Sequence, residues 1–332
     1  MRSNASPLAV WAGILVLYVV WGSTYLGMKL AMDTVPPFVM GFLRFVPAGL
    51  LLTAGVALRR RGTIARPTRR GVLDASIVGA MLLLGGTGLV AWGEQTIPTG
   101  IAALLIGLVP MWLAVFGRVL FGDCVPALAA VGIGVGLVGV AILAWPAGGV
   151  GGLDPAGLAA LIVSPMFWSL GTLYATKRAV LPAPALLSTG IQMIAGGLAF
   201  LVAAVVTGQV ASVDLATVSA TSWFGIGYLV FVGSLVGFTT YAWLLTVAPV
   251  GRIATYAYVN PVVAVFLGWL ILGEPLTIRT VIASVVIVAA VVLIVTARGR
   301  ASHVPREAAP GRAVGLAGEP SATAGPEPAQ PS

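Results

Sequence analysis

The chain has 332 residues, 59% of them hydrophobic and only 8% charged, with a formal net charge of +8 and a mean hydropathy of +1.04. A soluble domain carries about 25% charged residues, so a water-soluble globule is excluded and the chain reads as an all-α polytopic membrane protein. Nucleic acid is no partner for the positive charge, because the arginines lie in short loops and the tail beside apolar runs rather than on one folded face.

A membrane-crossing helix needs about 20 mostly apolar residues. Ten stretches meet that need: 8–30, 37–58, 71–93, 98–121, 125–145, 156–176, 184–207, 221–246, 251–272 and 278–297. The first is too long for the apolar part of a cleaved signal peptide, and no small-residue cleavage site precedes the next span. It carries Trp21 and Thr24 and ends on Lys29 and Asp33, spaced four apart as in a helical ion pair. The second holds Arg44 a turn or two from its end. An intramembrane charge is costly, so Arg44 is a cavity charge for an anionic group, a partner for a carboxylate, or a side chain snorkelling to the interface.

"RRRGTIARPTRR" follows, and the third span then closes on Trp92 and Glu94. Glu94 is either a carboxylate for a cationic substrate or a coupling proton, or a solvated terminus beside Pro98. The fourth span contains Pro110. The fifth has Gly132, Gly136 and Gly139, and the eighth Gly233 and Gly237, in small-residue spacing that favours close helix contact. The sixth carries Trp168 and the eighth Trp243. With Trp21 and Trp92 these tryptophans offer aromatic faces to cations or flat rings, or serve as belt and packing residues.

The ninth span, "ATYAYVNPVVAVFLGWLILGE", places Tyr256, Tyr258, Asn260 and Pro261 within six residues. Tyr256 and Asn260, four apart, share a helix face, while Tyr258 falls on another. A helix-interior proline leaves the carbonyl four residues back without its donor, here Ile106 for Pro110 and Ala257 for Pro261. Residues 298–332, rich in Pro, Ala, Gly and Glu, read as a disordered tail.

Basic residues set the orientation. The six arginines of 59–70, Lys177, Arg178, Arg252, Arg298 and Arg300 fall on one side if both termini are cytoplasmic, and Arg279 is the exception on the other. The single cysteine, Cys124, excludes an internal disulfide and a cysteine-built metal site, and the single histidine, His303, lies in the tail. No metal and no cofactor is therefore expected. The absence of GxxxxGK[ST] removes nucleotide hydrolysis as an energy source.

The two halves repeat. At one constant offset, without a gap, Pro98 meets Pro249, Gly100 Gly251, Pro110 Pro261, Gly117 Gly268, Gly122 Gly273 and Asp123 Glu274. Upstream, Ala91-Trp92 meets Ala242-Trp243 and Gly86 meets Gly237; Trp21 pairs with Trp168 and, with one insertion, Lys29 with Lys177. Five spans per repeat is an odd number, so the second copy enters the membrane upside down. Inverted repeats of this kind place a transporter site near the midplane, marked by interrupted helices in matching places.

"WGSTYLGMKLA", "PPFVMGFLRF", "GLVAWGEQTIPTGIAALLIGLVPMW", "LFGD" and "ATYAYVNPVVAVFLGWLILGEPLT" resemble the EamA-type permeases of the drug/metabolite transporter superfamily, and among them the YedA-like inner-membrane exporters. The resemblance covers both halves. It implies ten transmembrane helices in two inverted five-helix EamA repeats, 8–145 and 156–297, around a central cavity. It also implies a multi-pass protein of the cytoplasmic (inner) membrane that exports a small metabolite or drug: an amino acid, a nucleobase, or an amphipathic or cationic compound. The expected cavity residues are Trp21, Thr24, Lys29, Arg44, Trp92, Glu94, Trp168, Trp243, Tyr256 and Asn260, with Pro110 and Pro261 as kinks. Glu94 is the candidate for proton coupling. The expected partners are a small-molecule substrate and the lipid bilayer, without an obligate protein partner. A channel or facilitator, and an intramembrane enzyme, are the competing readings; the second lacks an intramembrane histidine.

Overall fold

The computed structural model describes residues 5–59, 66–144, 153–214, 216–248, 250–253 and 255–301. The tail from 302 onward, with His303, lies outside them, as do Arg60 and Arg61. Every regular element among the described residues is helical. They group into α1 (Pro7–Ala31), α2 (Pro37–Arg59), α3 (Arg69–Gly93), α4 (Thr99–Phe121), α5 (Ala127–Ala144), α6 (Pro155–Lys177), α7 (Ala185–Val206), α8 (Ala220–Val247), α9 (Val250–Ile253 and Tyr256–Leu272) and α10 (Ile278–Ala301). Eight of these are long and apolar enough to cross a membrane. The apolar parts of the other two, Ala127–Leu143 in α5 and Val259–Leu272 in α9, are shorter.

Large apolar side chains such as Val119, Val202, Phe224 and Val285 point outward and are exposed, while Ser164, Ser169, Ser222 and Ser234 are buried. That inside-out distribution suits a hydrocarbon surround, where association rests on close packing and interior hydrogen bonds. The glycines read as contact residues do bring helices together. A Cβ on Gly132 or Gly139 of α5 would stand 2.7 Å or 2.5 Å from the Ile294 or Ile287 side chain of α10.

The helix neighbours come in matched pairs. The second helices of the two halves, α2 and α7, pack together, as do the fifth, α5 and α10, and the fourth, α4 and α9. The first helix crosses over: α1 packs on α8 and α9, and its counterpart α6 packs on α3 and α4. α4 and α9 run in opposite directions. Gly100 abuts Val265 and Gly107 abuts Pro261, so one index rises as the other falls, and Glu274, just beyond α9, accepts the amide of Thr99 at the start of α4.

Both α4 and α9 end in the same way. Gly122 (φ 69°) and Gly273 (φ 66°) adopt the left-handed conformation that glycine takes without a Cβ penalty. In each case the next residue's amide reaches back six positions at 3.1 Å, Asp123 to the Gly117 carbonyl and Glu274 to the Gly268 carbonyl. One residue of each repeat thus caps its helix identically.

Candidate functional site

Between the two halves lies a cavity of about 540 Å³ lined from α1, α2, α3, α4, α6, α8, α9 and α10. Among the described residues, none of α5 or α7 lines it. Trp21, Thr24, Arg44, Trp168, Tyr256 and Asn260 all line the cavity, as do Pro110 and Pro261. Lys29, Trp92, Glu94 and Trp243 do not belong to its lining.

Local breaks position the α1 residues. The helix is interrupted at Ser23, whose hydroxyl bonds back to the Val19 carbonyl at 2.5 Å and contacts the Tyr228 hydroxyl of α8. Thr24 Oγ1 donates to the Trp21 carbonyl at 2.7 Å. The Trp21 ring meets Tyr256 edge-on at 4.9 Å and Phe238 at 5.6 Å. Gly237 makes room for it, since a Cβ there would come within 2.5 Å of the indole nitrogen.

Arg44 is 5% exposed. Its Nε donates to Ser234 Oγ at 3.3 Å and its guanidinium lies 4.6 Å from the Phe45 ring centre. Phe45 in turn stacks on Phe200 of α7 at 5.7 Å. The two ion pairs among the described residues are Arg70–Asp74 and Lys177–Asp123, so Arg44 sits in the wall with no carboxylate against it.

Ser234 belongs to a wide π-helical stretch, Leu229–Val236, in α8. Its counterpart in α3 is Ala80–Gly88, also π-helical, whose Gly86 and Thr87 line the cavity and whose Gly86 carbonyl accepts the Ser164 hydroxyl at 2.9 Å. Wide turns of this kind are rare and recur at functional sites. Neither they nor Ser234, Ser164, Tyr25 and Thr87 were foreseen. The available signal was the Gly86–Gly237 match, which marks the equivalent turns.

The prolines are placed differently. α4 breaks at Gly107-Leu108, and Pro110 falls in the first turn of the second piece, where no amide donor is needed. α9 breaks earlier, before Tyr256, and Pro261 lies inside the helix. Only the latter interrupts an otherwise continuous hydrogen-bond ladder, because the Tyr-x-Tyr-x-Asn run continues the helix where Gly107 ends it. Both Ile106 and Ala257 line the cavity. The side chain of Tyr258 lies outside the described ones.

Glu94 is fully buried, and among the described residues neither carboxylate oxygen has a hydrogen-bond partner. It is not the solvated terminus its position beside Pro98 allows. Lys29 Nζ donates to the Glu94 carbonyl oxygen at 2.6 Å, which covers that corner. The expected pair of Lys29 with Asp33 does not form; Asp33 instead accepts from Ser219 Oγ at 2.7 Å. α1 ends at Ala31, so Asp33 has left the helical spacing that the pair needs. Trp243 packs over Gly13 and is partly exposed.

Among the described residues there is no group of three or more His, Cys, Asp or Glu side chains placed to hold a metal. What the arrangement offers is a drug-sized chamber with aromatic walls, scattered hydroxyls and one guanidinium. Its sides come from both halves of a repeated sequence. A model of the EamA-like transporter family matches residues 9–145 and again 155–296.

The chain belongs to the EamA-like transporter family.

Among EamA-like relatives, the uncharacterized inner membrane transporter YedA of Escherichia coli K12 is 35% identical over 288 residues, covering 86% of this chain and 90% of that one. Protein PecM of Dickeya dadantii is 29% identical across 83% of this chain and 88% of its own length. A chloroplastic WAT1-related protein of Arabidopsis thaliana is 24% identical over 86% of this chain and 69% of its own. A solved structure 19% identical in sequence superposes with a TM-score of 0.59 over 90% of this chain and all of that one, a likeness of fold. The chain is thus a member of a family of membrane transporters, and the EamA-like match falls once on each half.

Proposed function

We propose that this protein is a secondary transporter of ten membrane spans that moves a small organic solute out of the cell by alternating access. The two repeats, 8–145 and 156–297, rock about the chamber between them, and both termini are cytoplasmic. The observation that carries this reading is the chamber of about 540 Å³ built from both halves where the antiparallel α4 and α9 meet. Interrupted helices facing such a chamber are how membrane carriers expose backbone polar groups to a substrate. The contacts between chain ends also sort by side. Lys29–Glu94, Asp33–Ser219, Thr96–Asp154 and Glu274–Thr99 join only segments that share one face under this topology, and Asp123–Lys177 and Asp74–Tyr174 join segments of the other.

Glu94 is the proton-coupling group in this proposal. A carboxylate without partners is costly to bury, so the buried Glu94 is held as the neutral acid and releases its proton when the surrounding end opens. The test is counterflow and efflux with the purified chain in liposomes, using solutes that accumulate outside cells on expression. Saturable exchange supports the carrier; flux that rises linearly at channel rates removes it. Reporter fusions at residue 65 and at the C-terminus should both read cytoplasm.

A further inference from the structure

We propose that the chamber selects organic solutes bearing one carboxylate, which is held by the Arg44 guanidinium while an apolar or aromatic body lies against Trp21 and Trp168. This rests on the transporter reading and names its substrate class. Among the described residues, Arg44 is the one with a fixed charge in the lining, and no aspartate or glutamate belongs to it. The nearest acid in function, Glu94, is sealed outside the lining.

A positive group at membrane depth without a carboxylate in ion-pair contact is costly; the buried Glu94 acts on Arg44 only through space. Ser234 and the Phe45 face offset part of that cost. Nε is engaged by Ser234, and a guanidinium carries further N–H donors in a planar fork that suits a carboxylate. A cationic solute would meet repulsion from Arg44 and find no carboxylate to neutralise it.

The size and lining set the rest. A volume of about 540 Å³ with mostly apolar walls exceeds what an inorganic anion fills. One arginine balances one negative charge; a phosphate dianion would need a second cation, and Lys29 points instead to the Glu94 carbonyl. Asn260 lines the wall, but its Oδ1 is enclosed and has no hydrogen-bond partner among the described residues, so the Arg44 contact alone fixes the acid group. The carboxylate can therefore belong to a simple organic acid or to an α-amino acid, and the two sources are separable by experiment.

Three probes of one size divide these cases: phenylacetate, phenylalanine and phenethylammonium. Binding to the full chain in lipid nanodiscs is read by tryptophan fluorescence, and counterflow is read separately in liposomes. Phenylacetate or phenylalanine should bind at millimolar concentration or below, and phenethylammonium should not. Binding of phenylacetate alone assigns a simple acid; tighter binding of phenylalanine assigns an amino acid. Arg44→Gln should weaken carboxylate binding on the order of 10- to 100-fold, with Arg44→Lys retaining part of it and Ser234→Ala losing less. If Arg44→Gln fails to fold, the wild-type comparison of the three probes and Ser234→Ala still decide. Binding of the ammonium as tight as that of the acids, or no binding of either carboxylate, overturns the proposal. Carboxylate binding without counterflow keeps this site and removes the carrier reading, whereas counterflow of the ammonium alone does the reverse.

Discussion

Asp123 and Glu274 occupy equivalent places after the same left-handed glycine, and their carboxylates bind different partners. Glu274 reaches the first-turn amides at the start of α4, which have no intrahelical acceptor, Thr99 at 2.7 Å and Gly100 at 3.2 Å. Asp123 pairs with Lys177 at 2.5 Å, both side chains about a third exposed. A carboxylate on helix-terminal amides gains charge-assisted bonds and the favourable end of the helix dipole. A surface ion pair gains little. Glu274→Ala should therefore lower unfolding free energy by about 1–2 kcal/mol, and Asp123→Ala by under about 1 kcal/mol. Thermal denaturation of both variants in one detergent checks the ranking, and equal losses would contradict it.

Glu94→Gln should leave stability nearly unchanged and remove the pH dependence of transport. A neutral carboxamide resembles the neutral acid in burial and in lacking partners, so the folded state shifts by roughly 1 kcal/mol or less. Efflux rates across a pH series for the variant and wild type are the measurement. A variant that keeps the wild-type pH profile would reject Glu94 as the coupling group.

Helix packing gives a pair of contrasting substitutions. A Cβ on Gly49 of α2 would stand 2.7 Å from the Gly190 carbonyl oxygen and 2.8 Å from the Ile194 amide of α7, backbone atoms that cannot swing aside. Gly134 of α5 has nothing within 4 Å of its Cβ position. Gly49→Ala should cost about 1–3 kcal/mol through overpacking. Gly134→Ala should be neutral or stabilise by up to about 1 kcal/mol through helix propensity. Midpoint temperatures of the two purified variants test this.

Asp154 ties the second half to the first at the head of α6. Its carboxylate accepts the Gly157 amide at 2.7 Å and the Thr96 hydroxyl at 3.0 Å, and these bonds, the amide first, hold its carboxyl below the ordinary value of 3.8. A group depressed on folding adds stability that is fully present above its unfolded value and lost as pH falls through the folded one. Asp154→Ala should thus lower the denaturation midpoint at pH 7, and the gap between variant and wild type should close at acid pH below 3.8. A gap that stays constant with pH would mean that the contact is not electrostatic.

Most helix limits were legible because apolar run length is set by bilayer thickness, and the breaks carried glycine, proline and charge. The repeat was legible down to Gly122 and Gly273, since a left-handed cap demands the same residue twice. The chamber was harder to read. Ser234 touches Arg44 across 190 positions, and a lone serine in an apolar run carries no sign of that partner. Glu94 had the sequence of a helix end at the water boundary, yet it is enclosed, because Lys29 folds over the carbonyl at that corner. Proline alone also misleads: Pro47 and Pro165 lie inside α2 and α6 and are not among the lining residues.

The two aligned prolines should respond in opposite ways. Pro110 occupies the first turn after the Gly107-Leu108 break, where a missing amide breaks no bond, so Pro110→Ala should change stability by under about 1 kcal/mol. Pro261 lies within Tyr256–Leu272, and Pro261→Ala would restore an amide to the Ala257 carbonyl, which borders the chamber. A helix-interior proline costs about 3 kcal/mol. Losing the ring that packs near Gly107 returns roughly 1 kcal/mol of that, leaving a net gain of about 1–2 kcal/mol. The same change withdraws the carbonyl from the chamber and stiffens α9, so turnover should fall while the denaturation midpoint rises. Efflux and thermal unfolding measured on the same preparation test the trade; a Pro261→Ala protein that is both less stable and fully active would show that the proline serves packing alone.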